Sequence, residues 1–312
     1  MQANCPICAK AEPYQRSQPE RAPRAPRSTT PTRGARTTSS GVRVRRVERA
    51  PDDGYESWLA HGLRSSVDAA RLADELAFSE ARLAELASDP PGLYAEAAAA
   101  GDPDEAVWLA FLIAYLSPGR GGDPWSEIAA ARVPFATGEL PDLEGLEGGP
   151  RTAHDPGRGT ATIEAWRAWA ARGGGQVAAL TGDANWEAHR RFARSFERLT
   201  LPGFGRGARF ELLVSLGALG IVPLEAGTLA LGVKDALDPV VGAAKRVFGI
   251  GDAINLERRA AELARESGVP LGALDLALFN FERPEDDRAA MGARQAADPE
   301  RRAAIGRALG VD

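Results

Sequence analysis

Cysteine is nearly missing: only Cys5 and Cys8 occur, both close to the N-terminus. No disulfide framework can therefore staple the body of the chain, which suits a reducing cytoplasm. Cys5-Pro-Ile-Cys8 has the spacing of half a zinc site. No second pair follows, and His61, His154 and His189 are scattered. A structural zinc needs four ligands, so no metal is expected and no other cofactor is called for. There is no run of 18 apolar residues, so no membrane-spanning helix is expected. The N-terminus also lacks the apolar core of a signal peptide. Strand-like alternation is missing throughout. Gly173-Gly174-Gly175 lacks the Lys-Ser/Thr that would make it a nucleotide phosphate loop. Aromatics are only 6% of the sequence.

What is present points to helices. The 312 residues are 44% hydrophobic, enough for a real core, and Ala, Arg, Leu and Gly dominate, a composition for helices packed through small side chains. The net charge of −5 hides an asymmetry. Residues 1–50 carry eleven basic and three acidic residues, whereas the rest carries 27 basic and 40 acidic. The first fifty, rich in Pro, Arg, Ser, Thr and Gln, read as a disordered basic tail that cannot bury enough to offset its ordering entropy. Residues 51–312 read as an all-α domain. An acidic body that binds a polyanion must focus its basic residues on one face.

Tyr55, Trp58, Leu59 and Leu63 share a face. Residues 67–87 form a long helix with Leu72, Leu76, Leu83 and Leu86 inward, stopped by Asp89-Pro90-Pro91-Gly92. A short helix follows over 93–100. Asp102-Pro103 then supplies an N-cap and first-turn proline to a helix over 104–116 that is apolar on nearly all sides and therefore buried. Short helices are expected over 125–132 and 160–172. Between them, 134–159 is a long Gly-, Pro- and acid-rich loop, a candidate lid or joint between two helical lobes. Residues 221–226 should lead into a short helix. Asp238-Pro239 opens a helix to Phe248, with Lys245 and Arg246 in its last turn and Gly249 beyond it. Asp252 caps the next helix, 255–266. An apolar helix covers 269–281, and two exposed helices are expected after Arg283.

The most informative stretch is 184–219. Phe192, Phe196 and Leu199 recur at helical spacing, and Arg190, Arg194 and Arg198 form a second row on another face. Pro202, Gly203, Gly205 and Gly207 break the helix, and a new one resumes with Phe210, Leu213 and Leu216. A tight glycine hairpin backed by a helix N-terminus can point backbone N–H groups at an anion such as phosphate.

Leu201-Pro202-Gly203-Phe204-Gly205-Arg206-Gly207-Ala208-Arg209 resembles the LPGxGxxTA signature of helix-hairpin-helix DNA glycosylases. The run Ala243-Ala244-Lys245-Arg246-Val247-Phe248-Gly249-Ile250-Gly251-Asp252, ending near 274–280, resembles a narrower group, the alpha-glutamyl/putrescinyl thymine pyrophosphorylase-like proteins. The resemblance covers roughly residues 184–282. It implies a glycosylase-like fold of two helical lobes and duplex DNA as partner, held by Arg190, Arg194, Arg198, Gly203, Phe204, Gly205, Arg206 and Gly207. It also implies a base flipped into a pocket. Members of the narrower group are thought to displace diphosphate from a 5-(diphosphoryloxymethyl) pyrimidine with an amine, so an amine or amino-acid donor would be a further partner. Lys245 and Arg246 are the candidate cations for the departing diphosphate, and Asp238 or Asp252 the candidate carboxylate for the amine.

The sequence departs from the family pattern in two places. Gly207 stands where some glycosylases carry a catalytic lysine, so Schiff-base lyase chemistry is not expected. Val241 stands in the register of the catalytic Asp, with Asp238 and Asp235 three and six residues earlier. Three readings follow. The first is a base-modifying enzyme acting on modified thymine. The second is a non-catalytic helix-hairpin-helix DNA-binding module, or a glycosylase removing modified bases. The third is a helical interaction protein in which the hairpin is only a turn. Each candidate also has a plain role: Asp238 and Asp252 as helix caps, Lys245 and Arg246 as partners of the helix dipole.

Overall fold

The computed structural model describes residues 49–232 and 238–311. Residues 1–48 of the basic tail, with Cys5 and Cys8, and Asp235 lie outside the described residues. Within them the protein is all-α. Its only β feature among these residues is an isolated bridge between Leu201 and Phe204. No described helix is long and apolar enough to cross a membrane.

Helix α3 (Pro103–Leu116) is the centre of one half of the core, and every residue from Ala106 to Leu116 is buried. The local reasons are those expected: Asp102 accepts the Asp104 N–H at 2.9 Å and Pro103 occupies the first turn. Phe111 is its aromatic hub. Its ring stacks on Trp166 of α5 (Ala161–Arg172) at 4.1 Å between centroids and lies 5.2 Å from Phe204. Helices α2 (Leu93–Ala99) and α6 (Gln176–Thr181) pack beside α3.

Helix α1 (Ser66–Ser88) organises the other half. It packs on α11 (Leu271–Phe281) and α12 (Pro299–Leu309), while α9 (Pro239–Phe248) and α10 (Ala253–Ser267) pack on α11 from another side. Helix α8 (Arg206–Ala218), reached from α7 (Ala188–Arg198), touches α1, α3 and α11. The buried apolar residues, from Tyr55 to Leu309, form one contiguous cluster.

Four expectations are corrected. The stretch 134–159 is irregular but pinned rather than open: the Gly149 N–H donates to the Leu116 carbonyl at 2.8 Å and the Ala153 N–H to that of Tyr115 at 2.8 Å. Leu143, Arg151 and His154 within it are buried. The short helix α4 covers only Ser126–Ala130. The described residues 227–232, directly after the 221–226 connector, form no helix. Beyond Arg283 there is one α-helix, not two. Residues 283–298 hold only a short 3-10 turn, Glu285–Asp287, and side chains fasten them to α1: Arg288 Nε donates to Glu75 at 3.0 Å and Arg294 Nε to Glu85 at 2.9 Å.

Candidate functional site

The hairpin joining α7 to α8 has the expected backbone, but several of its side chains point inward. Gly203 sits at φ +77°, where glycine alone is unstrained. The Thr162 hydroxyl donates to the Pro202 carbonyl at 2.7 Å, tying the tip to α5. Phe204, placed by the sequence at a DNA surface, is buried against Phe111. An aromatic ring beside an aromatic core gains more from burial than from a wet turn. Gly205 is exposed, extended in backbone, and begins α8 without a side-chain cap. Gly207 lies in the first turn, half-buried near the Arg151 guanidinium.

Arg206 is the largest correction. Expected to meet DNA, it is only 1% exposed. Its Nε donates to Asp238 at 2.7 Å, Nη2 to Asp275 at 2.5 Å and Nη1 to the Leu229 carbonyl at 2.9 Å. Asp275 also binds Arg151, which reaches Glu211 at 3.2 Å, and Glu211 binds Arg82. Three guanidinium groups and three carboxylates thus alternate through the core. Burial opposes the charge on Arg206, but Asp275 and Asp238 more than compensate and raise its pKa. Tyr94, buried beside Glu211, has its phenol pushed up to about 12 by burial and then by that carboxylate.

This network removes Asp238 from the list of free carboxylates. It accepts Arg206 on one side and caps α9 on the other, taking the Val240 N–H at 2.8 Å. Asp252 is likewise an N-cap, accepting the Asn255 N–H at 3.0 Å. Both therefore have the plain structural role.

The arginine row of α7 remains at the surface. Arg190, Arg194 and Arg198 are exposed. Arg190 and Arg198 lie over the Trp186 ring, 5.5 and 4.9 Å from its centroid, and Arg194 pairs with Glu197 at 2.9 Å. Arg191, between them in sequence, turns inward and donates to the carbonyls of Thr181, Trp186 and Pro223.

The structure gathers Lys245, Arg246 and the Gly249-Ile250-Gly251 turn on one wall of a cleft of about 490 Å³, whose other wall is the segment leading into α1. That segment contributes Arg49, Asp52, Gly62, Arg64 and Ser65, and the first turn of α1 adds Asp68. The walls meet where the Gly62 N–H donates to the Val247 carbonyl at 2.9 Å. Arg246 is neutralised by Asp68 at 2.6 Å and Glu282 at 3.3 Å, with its guanidinium over the Phe281 ring. Lys245 is exposed and has no ion pair among the described residues. Arg64 has only a 3.4 Å contact to exposed Glu56. Ser65 is buried, and its hydroxyl has no hydrogen-bond partner among the described residues. The first N–H of α1 is already taken by Asp53, at 3.0 Å from Ser66 N. The cleft is cationic through side chains rather than through the helix end: four cations line it against two carboxylates.

No family model, curated protein or solved structure matches the chain.

The cleft and the arginine row of α7 are distinct surfaces. Asp238 and Lys245 stand at opposite ends of α9, about 10 Å apart at 1.5 Å per residue. The Lys245–Gly251 group was visible in sequence because it is local. Arg49, Arg64 and Ser65 were missed because nearly two hundred residues separate the walls, and no local pattern announces that meeting.

Proposed function

We propose that this protein binds duplex DNA on a two-lobed helix-hairpin-helix glycosylase-like scaffold in a reducing cytoplasm, and that the α1/α9 cleft receives the diphosphate of a modified pyrimidine. The observation that carries the reading is the convergence of Lys245, Arg49 and Arg64 on one cleft beside the already paired Arg246, since a polyanionic leaving group needs several cations fixed in advance. The open start of α8 at Gly205 and the exposed row Arg190, Arg194 and Arg198 supply a second, backbone-directed surface. In the reaction, an amine would attack the exocyclic methylene carbon of the base. The C–N bond would form as the C–O bond to diphosphate breaks, and the amine would lose a proton. Asp238 and Asp252 are committed elsewhere and Asp68 is paired with Arg246, so the carboxylate for that proton would be Asp52 on the cleft wall.

A second reading is a DNA-binding module without chemistry. It is favoured by one observation: both carboxylates singled out by the sequence serve as helix caps.

Two variants of the full chain separate these readings. Gly205→Asp leaves the fold intact, because nothing lies within 4 Å of the added Cβ and Asp is a strong N-cap. Its negative charge should weaken binding to short duplex DNA and lower the salt slope by about 1. Lys245→Glu should leave duplex binding nearly unchanged but abolish diphosphate release from DNA bearing 5-diphosphoryloxymethyl-uracil in the presence of an amine. If neither variant alters binding and no diphosphate is released, the DNA-modifying reading fails. If only Gly205→Asp has its effect, the module reading stands.

A further inference from the structure

A second cleft opens between α7, α8 and residues 228–232, with a volume of about 480 Å³. Its walls include Ala193, Phe196, Glu197, Arg209, Thr228 and Ala230. Arg209 is the unusual member. It is only 8% exposed and has no ion pair among the described residues, although Arg206, three positions earlier, holds two carboxylates. Its Nη1 donates to the Phe196 carbonyl at 3.2 Å, and its Nε is buried with no partner among the described residues. The guanidinium lies 4.4 Å from the centroid of Phe196. A buried guanidinium without a carboxylate among the described residues is costly. Burial and then the nearby charge of Arg206 lower its pKa, so the site favours whatever brings negative charge to it.

We propose that this cleft binds the carboxylate of a small organic acid, with Arg209 as the anchor. Arg209 still has unused donors, and a guanidinium offers a fork matched to a planar carboxylate. Thr228 Oγ1 accepts the Ala230 N–H at 3.1 Å, leaving its own hydrogen to donate. Ala193, Phe196 and Ala230 form an apolar wall for an aliphatic body. A single cation among the described walls fits a single negative charge better than a phosphate dianion, the more so because Glu197 also lines the cleft. Glu197 is itself paired outward with Arg194. Ala230 sits at φ +54° without being glycine, a strained backbone on the cleft wall. The proposal is independent of how the α1/α9 cleft is used.

The test follows the arginine Nε–H signals of the full chain by NMR during titration with butyrate. Butyramide, which has the same shape without the charge, and inorganic phosphate serve as comparisons. The Arg209 signal is the one missing from Arg209→Lys. Butyrate should shift it saturably, and butyramide should not. Arg209→Lys, followed through the amides of Phe196 and Thr228, should weaken butyrate binding by about tenfold or more. Ala193→Leu, which fills the cleft without touching the guanidinium, should weaken it comparably while the thermal midpoint stays within a few degrees of the parent. The proposal is overturned if butyrate produces no saturable shift, if binding survives both substitutions, or if phosphate binds the site more tightly than butyrate.

Discussion

Asp275→Asn should be among the most damaging single substitutions in this chain. Asp275 is 1% exposed and accepts from Arg206 and Arg151 at once. Removing its charge leaves two buried guanidinium groups sharing the remaining carboxylates, and breaking a buried pair from one side costs roughly 3–5 kcal/mol. Thermal unfolding should shift down by on the order of 10 °C, and urea unfolding should show the same loss at an unchanged m-value. The effect is tied to pH in a definite direction. Burial alone would raise the carboxyls of Asp275 and Glu211, but their arginine partners hold both below their ordinary values of 3.8 and 4.5. A carboxyl depressed in the folded state contributes stability that is full above its unfolded pKa and disappears as pH falls toward the folded one. The parent should therefore lose stability progressively below about pH 4.5, beginning with Glu211 and continuing with Asp275. Asp275→Asn should show a shallower acid dependence from a lower plateau. An unfolding midpoint within half a kcal/mol of the parent at pH 7 would show that the alternating charges do not stabilise the core.

The second large effect is expected at Gly62. A Cβ placed there would lie 2.0 Å from the Arg246 carbonyl oxygen and 2.5 Å from the Gly249 nitrogen. Both obstacles are main chain, so no side chain can swing aside. Either α9 moves or the segment before α1 does, and the Gly62-to-Val247 hydrogen bond is lost in either case. Gly62→Ala should cost on the order of 3 kcal/mol, the upper range for overpacking, and should spread the cleft so that Arg49 and Arg64 no longer face Lys245. Diphosphate binding, measured by calorimetry, should fall with it. Gly251→Ala is the control: it lines the same cleft, but nothing lies within 4 Å of the added methyl, so stability should change by less than about 0.5 kcal/mol. Equal stability of the two variants would mean that the two walls do not meet at Gly62.

Much of the framework was legible because its causes are local. Asp102-Pro103, Asp238-Pro239 and Asp252 each begin a helix, as capping chemistry dictates. Gly249 ends α9 in the left-handed region. The all-apolar run before Leu116 is the buried helix it resembles. Where the reading failed, the deciding partner was far away. Arg206 looked like a DNA contact because of its place in a motif, yet its partners lie 32 and 69 residues further on. Phe204 at the hairpin tip left stacking on a base and packing beneath the loop both open, and Phe111 offers it a core. One signal could have warned of the network: Asp275 interrupts the apolar run Leu274–Phe279 and Glu211 the apolar run Phe210–Val214, and a carboxylate in such a place must bring its own cations. Which arginines answer it is a three-dimensional fact. The candidate cleft divides the same way, with Lys245, Arg246 and Gly249–Gly251 readable as a cluster and the opposing wall not.

Arg151 lies in the irregular stretch between α4 and α5, yet its guanidinium is anchored by Glu211 and Asp275 deep in the interior. To swing that stretch away, the chain would have to extract a charge from a balanced set and leave two carboxylates under-compensated. Its length suggests a hinge, but its attachment makes it part of the cooperative unit. Amide hydrogens from Gly149 to Ala153 should consequently exchange with solvent only when the whole molecule unfolds, and a protease added to the native protein should find few cleavable bonds there. A long surface connection can thus be as durable as the helices it joins, because one side chain carries the interior's charge balance out to it.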